Sequence, residues 1–249
     1  MISYLSRLML SLSDSRITGY LPAATTLYNP AMTGAAQLQS LSFFQRLANA
    51  LPDAITAGVF LYAWFAPLDW RKTLVAELML VMVVEFILIH SAPFLGSIVL
   101  ARDEALKKRL RIFAGLTVFY SLFIGGFALG FKSWWPVFAF TWLIAAKLVS
   151  MVTDMRHTQR QKQRMRGYWG VSALFYLLAV FATLFLAVPE LGITRHGTAY
   201  GIPGSGEWVS HPHTVIAAGF LYFGLLAATK LVEKPDWWLN FRQNTVKTV

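Results

Sequence analysis

The chain has 249 residues, of which 56% are hydrophobic and 14% are charged, against about 25% charged in an ordinary soluble domain. The mean hydropathy is +0.52, which favours a membrane protein over a soluble one. The formal net charge is +10, but no separate basic domain exists to hold a duplex, so we expect no nucleic-acid partner. The absence of cysteine excludes disulfides, thiolate metal sites, iron–sulfur clusters and cysteine nucleophiles.

The first fifty residues do not have the pattern of a secretory signal. Only Arg7 precedes a short apolar patch, which the polar stretch SLSDSR then interrupts. Apolar residues recur at helical spacing across 41–51, which predicts an interfacial amphipathic helix or the wet start of a first span. We assign residues 1–49 to an N-terminal cytoplasmic or interfacial segment.

Six long apolar runs follow, and they predict the fold. A helix needs about 20 residues to cross a hydrocarbon core about 30 Å thick, and the strand-like alternation of a barrel is lacking. We therefore predict an all-α, polytopic integral membrane helix bundle with six transmembrane helices over residues 50–233, followed by a tail over 234–249. The runs are residues 50–67, 73–101, 112–131, 134–153, 168–188 and 214–232.

The distribution of basic residues predicts the orientation. Five Lys or Arg residues lie within 102–111 and five within 156–166, whereas the alternate loops carry two, one and one. Both termini should therefore be cytoplasmic. Lys147 and Lys230 lie inside runs four and six, near their cytoplasmic ends, where long side chains can snorkel. The sequence has no N-x-[ST] glycosylation acceptor, which suits a bacterial inner-membrane protein.

Run two carries an acid and a histidine, Glu85 and His90, where apolar residues are expected. Counted from the outer end of the run, Glu85 lies about 18 Å deep, near the midplane. An ionised carboxylate at that depth costs several kcal/mol unless it is sheltered. One interpretation is a proton, cation or substrate site with His90 as relay or second ligand. The other is a hydrogen bond that locks two helices, for which the candidate partners are Tyr62, Tyr120, Ser121, Tyr176 and Tyr222.

Pro93 interrupts the hydrogen-bond ladder of the same run. It removes the backbone bond to the carbonyl of Ile89 and bends the helix. We expect the freed carbonyl to accept from Ser91, a water or a neighbouring helix. An ideal helix places Glu85 and His90 about 140° apart, but the bend offers a way to turn His90 towards the bundle interior.

The loop between runs five and six, residues 190–214, is rich in histidine. An extended His-Pro-His segment would place two imidazoles on one side, where they can bind zinc or copper together with a further ligand. The spacing matches no recognised metal signature, and an ordinary loop is the alternative interpretation. Apart from this possible metal ion, we predict no cofactor and no catalytic residue. The candidate ligands are His196, Glu207, His211 and His213.

Three further features have structural interpretations. Asp53 follows Pro52 and is predicted to lie in the first turn of a helix, where an acid complements the dipole. The basic segment 154–168 suits anionic lipid or an acidic partner. Gly126 and Gly130 form a GxxxG pattern, which permits close helix approach within the bundle or in a dimer.

Short loops, the lack of a soluble domain and a single midplane acid favour a non-catalytic inner-membrane subunit or assembly factor. Such a protein would contact the bilayer and pack against other membrane protein subunits. A small proton- or cation-coupled transporter that uses Glu85 and His90 is the first alternative. A metal-dependent membrane enzyme that uses the outer histidine loop is the second.

Overall fold

The computed structural model describes residues 43–68, 71–100, 105–152 and 159–232, and everything said below concerns these ranges. Every regular element within them is helical, and none of them forms a strand, so the all-α prediction is confirmed for this part of the chain. The predicted tail at 234–249 and most of the predicted segment 1–49 lie outside the described residues. The elements are α1 Phe43–Phe65, α2 Leu74–Leu100, α3 Leu106–Gly130, α4 Trp135–Val152, α5 Gln159–Phe185, a 3₁₀ turn Gly197–Tyr200, α6 Glu207–Ser210 and α7 Pro212–Val232.

Four of the described helices are long and apolar enough to cross a membrane, which is consistent with a membrane protein. They match the second, third, fifth and sixth apolar runs. The apolar stretch of α4 is shorter, and α1 carries Arg46 and Asp53, so length and composition do not establish these two as spans. The four spanning stretches are Leu74–Ile98, Leu106–Gly130, Gly167–Phe185 and Pro212–Val232.

Helices α1 and α7 form the most extensive helix pair in the described chain. The rings of Phe60 and Phe223 stack with centroids 5.7 Å apart, and Trp64 meets Phe220 at 6.4 Å. Further towards the start of α1, Asp53 contacts Lys230 near the end of α7. Residue numbers rise along α1 as they fall along α7, so the two helices are antiparallel. The start of α1 and the end of α7 therefore lie at the same end of the bundle.

The predicted position of Asp53 in a first helical turn was wrong. The helix starts at Phe43, so Pro52 and Asp53 lie well inside it. Asp53 is fully buried, and its Oδ2 lies 2.5 Å from Nζ of Lys230. Lys230 is almost fully buried as well, so it forms an ion pair across the helix interface instead of snorkelling. The carboxylate is compensated by a lysine from a distant part of the sequence, not by a helix dipole.

Helix α2 lies in the middle of the bundle. Along its length it contacts α3, α4, α5 and α7. Residues on several sides of it are fully buried, among them Val75, Leu80 and Met82. The α3–α4 hairpin covers one side through Ile124 and Phe140. A helix that is apolar all round suits such a central position.

The loop between α5 and α7 folds over one end of the bundle. The amide of Gly192 donates to the carbonyl of Trp64 at 2.9 Å, and the Trp64 indole donates to the carbonyl of Pro189 at 2.9 Å. Tyr200 and Val209 in this loop join the main core cluster. The loop is thus a packed cap on the end of α1 that carries Trp64.

The close contact between α1 and α7 at Gly219 gives a first test of this fold. A Cβ atom at Gly219 would overlap the ring of Phe60, whereas a Cβ at Gly224 in the same helix would meet nothing. We expect Gly219→Ala to lower the stability of the purified protein by about 1–3 kcal/mol through overpacking. Gly224→Ala is the matched control and should melt with the wild type. Equal melting temperatures for the two variants would contradict this packing.

Candidate functional site: the buried Glu85 cluster

The side chain of Glu85 lies between helices, as its position in run two requires. It is 2% exposed, on the part of α2 that faces α7. The hydroxyl of Tyr222, a fully buried residue of α7, donates a hydrogen bond to Oε1 of Glu85 at 2.8 Å. Hydrogen bonds of this kind are strong where water is excluded, because the local dielectric is low. The contact joins two helices that are distant in sequence.

Aromatic rings surround this hydrogen bond. The ring of Tyr176, from α5, meets that of Tyr222 edge-on with centroids 5.4 Å apart, and Phe223 lies 4.8 Å from Tyr222. The Tyr176 hydroxyl donates to the backbone carbonyl of Met82, one turn before Glu85, at 3.0 Å. Two tyrosines from two helices therefore hold one stretch of α2. The arrangement fixes the position of the carboxyl group inside an aromatic shell.

One of the five predicted partners of Glu85 is its hydrogen-bond donor. Tyr222 makes the bond, and Tyr176 packs beside it. Tyr62 is exposed on α1, and Tyr120 packs against a different core cluster. The sequence supplied the list of possible hydrogen-bond partners for Glu85. The packing of α7 beside α2 determines that Tyr222 is the donor.

The structure does not bring His90 to Glu85. His90 is exposed on the outside of α2, and its Nδ1 lies 3.1 Å from the carbonyl of Phe86. Its ring packs on that of Phe86 with centroids 4.1 Å apart. The predicted turning of His90 towards the bundle interior is therefore not observed: the histidine is exposed, whereas the carboxylate is buried. A joint Glu85–His90 site is not formed in this conformation.

A neighbouring helix satisfies the carbonyl that Pro93 leaves free, which is one of the three possibilities that the sequence left open. The indole Nε1 of Trp169, near the start of the spanning part of α5, donates to the Ile89 carbonyl at 2.6 Å. The sequence analysis missed Trp169 as the donor. The sequence did contain a signal for it, because a tryptophan at the start of an apolar run carries an indole N–H that needs an acceptor inside a membrane. Together with Tyr176, it attaches α5 to the part of α2 that precedes Pro93.

The candidate metal ligands of the outer loop are only partly brought together. Pro212 opens α7, so the segment around it is not extended; the rings of His211 and His213 are edge-on, with centroids 6.0 Å apart. His211 Nδ1 contacts Glu207 Oε1 at 2.8 Å. His196 instead bonds to Thr198. Across the described ranges, no group of three or more His, Asp or Glu side chains is placed to hold a metal ion.

The described residues thus define an all-helical protein with four helices able to cross a membrane and an acid held among them. No protein-family model matches the sequence, and neither a curated protein nor a solved structure is significantly similar to it. Any function therefore has to be argued from the geometry of the chain itself.

The Glu85–Tyr222 contact can be tested by a double-mutant cycle. Tyr222→Phe removes the donor from a buried acceptor and should cost about 1–3 kcal/mol of stability. Glu85→Gln keeps a carbonyl oxygen, so its effect should be smaller, and the two losses should not add. The readout is thermal or denaturant unfolding in detergent. Tyr62→Phe on the exposed side of α1 is the control. An equal effect of Tyr62→Phe and Tyr222→Phe would refute the contact.

A second cycle tests the Trp169 hydrogen bond. Trp169→Phe should lower stability by about 1 kcal/mol, because it removes the donor to the Ile89 carbonyl. In a Pro93→Ala background the alanine amide can bond to that carbonyl, so Trp169→Phe should cost less there. The unfolding free energies of the four proteins give the comparison. The same cost in both backgrounds would show that the indole does not compensate for the proline.

Proposed function

We propose that the protein is a non-catalytic integral subunit or accessory factor of a bacterial inner membrane and packs against other membrane proteins. In this proposal the chain crosses the bilayer six times, with both ends in the cytoplasm. The observation that carries it is the hydrogen bond from Tyr222 to Glu85. The one midplane acid serves to hold helices of this chain together.

The surroundings of Glu85 support this choice over a carrier. A coupling acid in a carrier exchanges protons or ions with water, so it faces a cavity or a pathway. Glu85 is buried, accepts from Tyr222 and lies in an aromatic shell. The histidine proposed as a relay is on the outside of the same helix. These contacts suit a structural lock.

The packing directions support six crossings. The α3–α4 turn is short, and α4 packs back along α3, with Ile124 and Phe140 in one cluster and Phe113 and Ile144 in another. If α3 spans, α4 must therefore return across most of the same thickness. Helix α1 likewise runs antiparallel beside α7 over much of its length. An even number of crossings agrees with the distribution of Lys and Arg.

One face of α3 supports an interaction with another membrane protein. This face is exposed along its length and carries Gly115, Gly126 and Gly130 together with large apolar residues such as Leu122. A Cβ atom at any of the three glycines would meet no other part of the described chain. The GxxxG pair is therefore not used for packing within these ranges. Its small residues permit the close approach of a helix from another protein.

Partner binding through this face can be tested with matched glycine variants. Gly126→Leu and Gly130→Leu should reduce the recovery of specific partners several-fold after gentle detergent extraction, because bulk prevents close helix approach. Gly58→Leu, at an exposed and equally open position on α1, is the control. Partners are quantified by mass spectrometry after cross-linking in the membrane.

Three results would contradict the proposal. The first is recovery of the chain without partners from wild-type membranes, and the second is equal recovery of partners from all three variants. The third is proton or cation flux in liposomes that contain only this protein, if Glu85→Gln abolishes that flux. The third result would favour the carrier.

A further inference from the structure

One side of α2 is left uncovered by the other described helices. Phe86, His90 and Phe94 lie four residues apart along this side, and all three are exposed; we call them the α2 stripe. Ile87 and Ile89, which flank the stripe, are buried. On an ideal helix these two isoleucines lie about 160° apart across the exposed side. The uncovered sector is therefore wide, and it extends over about two helical turns.

Two separate parts of the bundle border the α2 stripe. On one side the ring of Tyr176, from α5, lies 5.7 Å from that of Phe86. On the other side Ile87 belongs to the cluster that holds Ile124 of α3 and Phe140 of α4. Helix α5 makes no extensive contact with either helix of the α3–α4 hairpin in the described ranges. The stripe is thus the floor of a groove that opens sideways, towards the space that a bilayer would fill.

The width of the groove matches one helix. Around a central helix, close-packed neighbours of similar diameter lie about 60° apart. A further helix centred on the α2 stripe would be about 80° from the directions of Ile87 and Ile89, whereas two further helices would need about 180°. A lipid tail also fits such a groove, so the choice between the two occupants depends on its chemistry.

The imidazole of His90 gives the groove one polar atom that the described chain does not satisfy. Its Nδ1 lies 3.1 Å from the carbonyl of Phe86. A carbonyl oxygen only accepts, so Nδ1 carries the hydrogen of the neutral ring and Nε2 remains an acceptor. No hydrogen-bond donor to Nε2 exists within the described ranges. The ring packs on that of Phe86, with centroids 4.1 Å apart, which holds the imidazole against the floor of the groove.

The level of His90 lies inside the apolar part of the bundle. It follows Glu85 by five residues, or about 7–8 Å, and Glu85 is level with Tyr222. The spanning stretch of α7 continues for about 15 Å beyond Tyr222, to Val232, and that of α2 for about 12 Å beyond His90, to Ile98. At this depth lipid tails offer no donor, so an acceptor that faces them is costly.

We propose that a transmembrane helix of the partner protein occupies this groove and donates a hydrogen bond to Nε2 of His90 from a hydroxyl or indole group. The inference rests on the proposed function and adds a contact surface separate from the glycine-containing face of α3. Membrane helices associate through close packing and through such hydrogen bonds, and aromatic residues like Phe86 and Phe94 are enriched at protein interfaces. A helix with a donor fills the groove and satisfies the acceptor, whereas a lipid tail only fills the groove.

Site-specific photo-cross-linking in native membranes tests the occupant. Benzoylphenylalanine replaces Phe86 and, in a separate protein, Phe94, and the cross-linked peptides are mapped by mass spectrometry. We expect both positions to capture one transmembrane segment, at sites about eight residues apart, with a Ser, Thr, Tyr or Trp between them. The same probe at Tyr62, an exposed position of α1, is the control and should not capture that segment. This mapping keeps His90 in place.

Variants of His90 test the hydrogen bond. His90→Phe keeps a flat ring but removes the acceptor, and should reduce cross-linking from position 94 about three- to tenfold, since a neutral hydrogen bond is lost. His90→Gln keeps an acceptor oxygen and should retain most of the cross-linking. Undiminished cross-linking in His90→Phe would overturn the proposal, and so would cross-links that reach only lipid, a second copy of this chain or another segment of the same chain. If Gly126→Leu still reduces partner recovery in that case, the proposed function stands and only this contact fails.

Discussion

Hydrocarbon offers no hydrogen-bond partner, so each polar group carried into a bundle of apolar helices needs a partner within the protein, and one that its own helix does not satisfy needs a neighbouring helix. Within the described ranges, contacts of this kind include Tyr222 with Glu85, Lys230 with Asp53, and Trp169 with the carbonyl of Ile89. They join α7 to α2, α7 to α1, and α5 to α2. Close packing of aromatic rings fills the space around them. Removing one partner of such a pair leaves the other polar group buried without a hydrogen bond, which is costly. These contacts therefore constrain how the helices are arranged.

These contacts divide the described chain into two parts. Helices α1, α2, α5 and α7 are joined by polar contacts, and the loop before α7 closes one end of them. The α3–α4 hairpin packs on α2 mainly through apolar residues and leaves a long face of α3 uncovered. The proposed functions follow this division. The polar contacts join the helices of the scaffold, while the hairpin carries the open, glycine-containing face to which we assign partner binding.

The sequence predicted the helical class and the shelter of Glu85 well, because both follow from the cost of polar groups in lipid. It also predicted that Pro93 would free the Ile89 carbonyl, since that follows from the missing amide of proline, but it left Ser91, a water and a neighbouring helix open as the donor. It did not predict the pairing of Asp53 with Lys230. Helical spacing over residues 41–51 was recognised, but Asp53 was still placed in a first turn, whereas α1 begins at Phe43. A helix boundary decides whether an acid lies at a dipole or in a core. Opposite charges in runs one and six were the available signal for this pair.

The sequence by itself determined which segments are helices and which side chains cannot face lipid, because hydrophobic length and the energy of a buried charge are local properties. Only the tertiary structure decided the partners. Tyr222 reaches Glu85, and Lys230 reaches Asp53, because α7 returns antiparallel to α1 and beside α2. His90, by contrast, lies outside because its angle around α2 points away from those neighbours. Contacts between residues far apart in sequence depend on how whole helices pack, and hydrophobic pattern alone does not specify that packing.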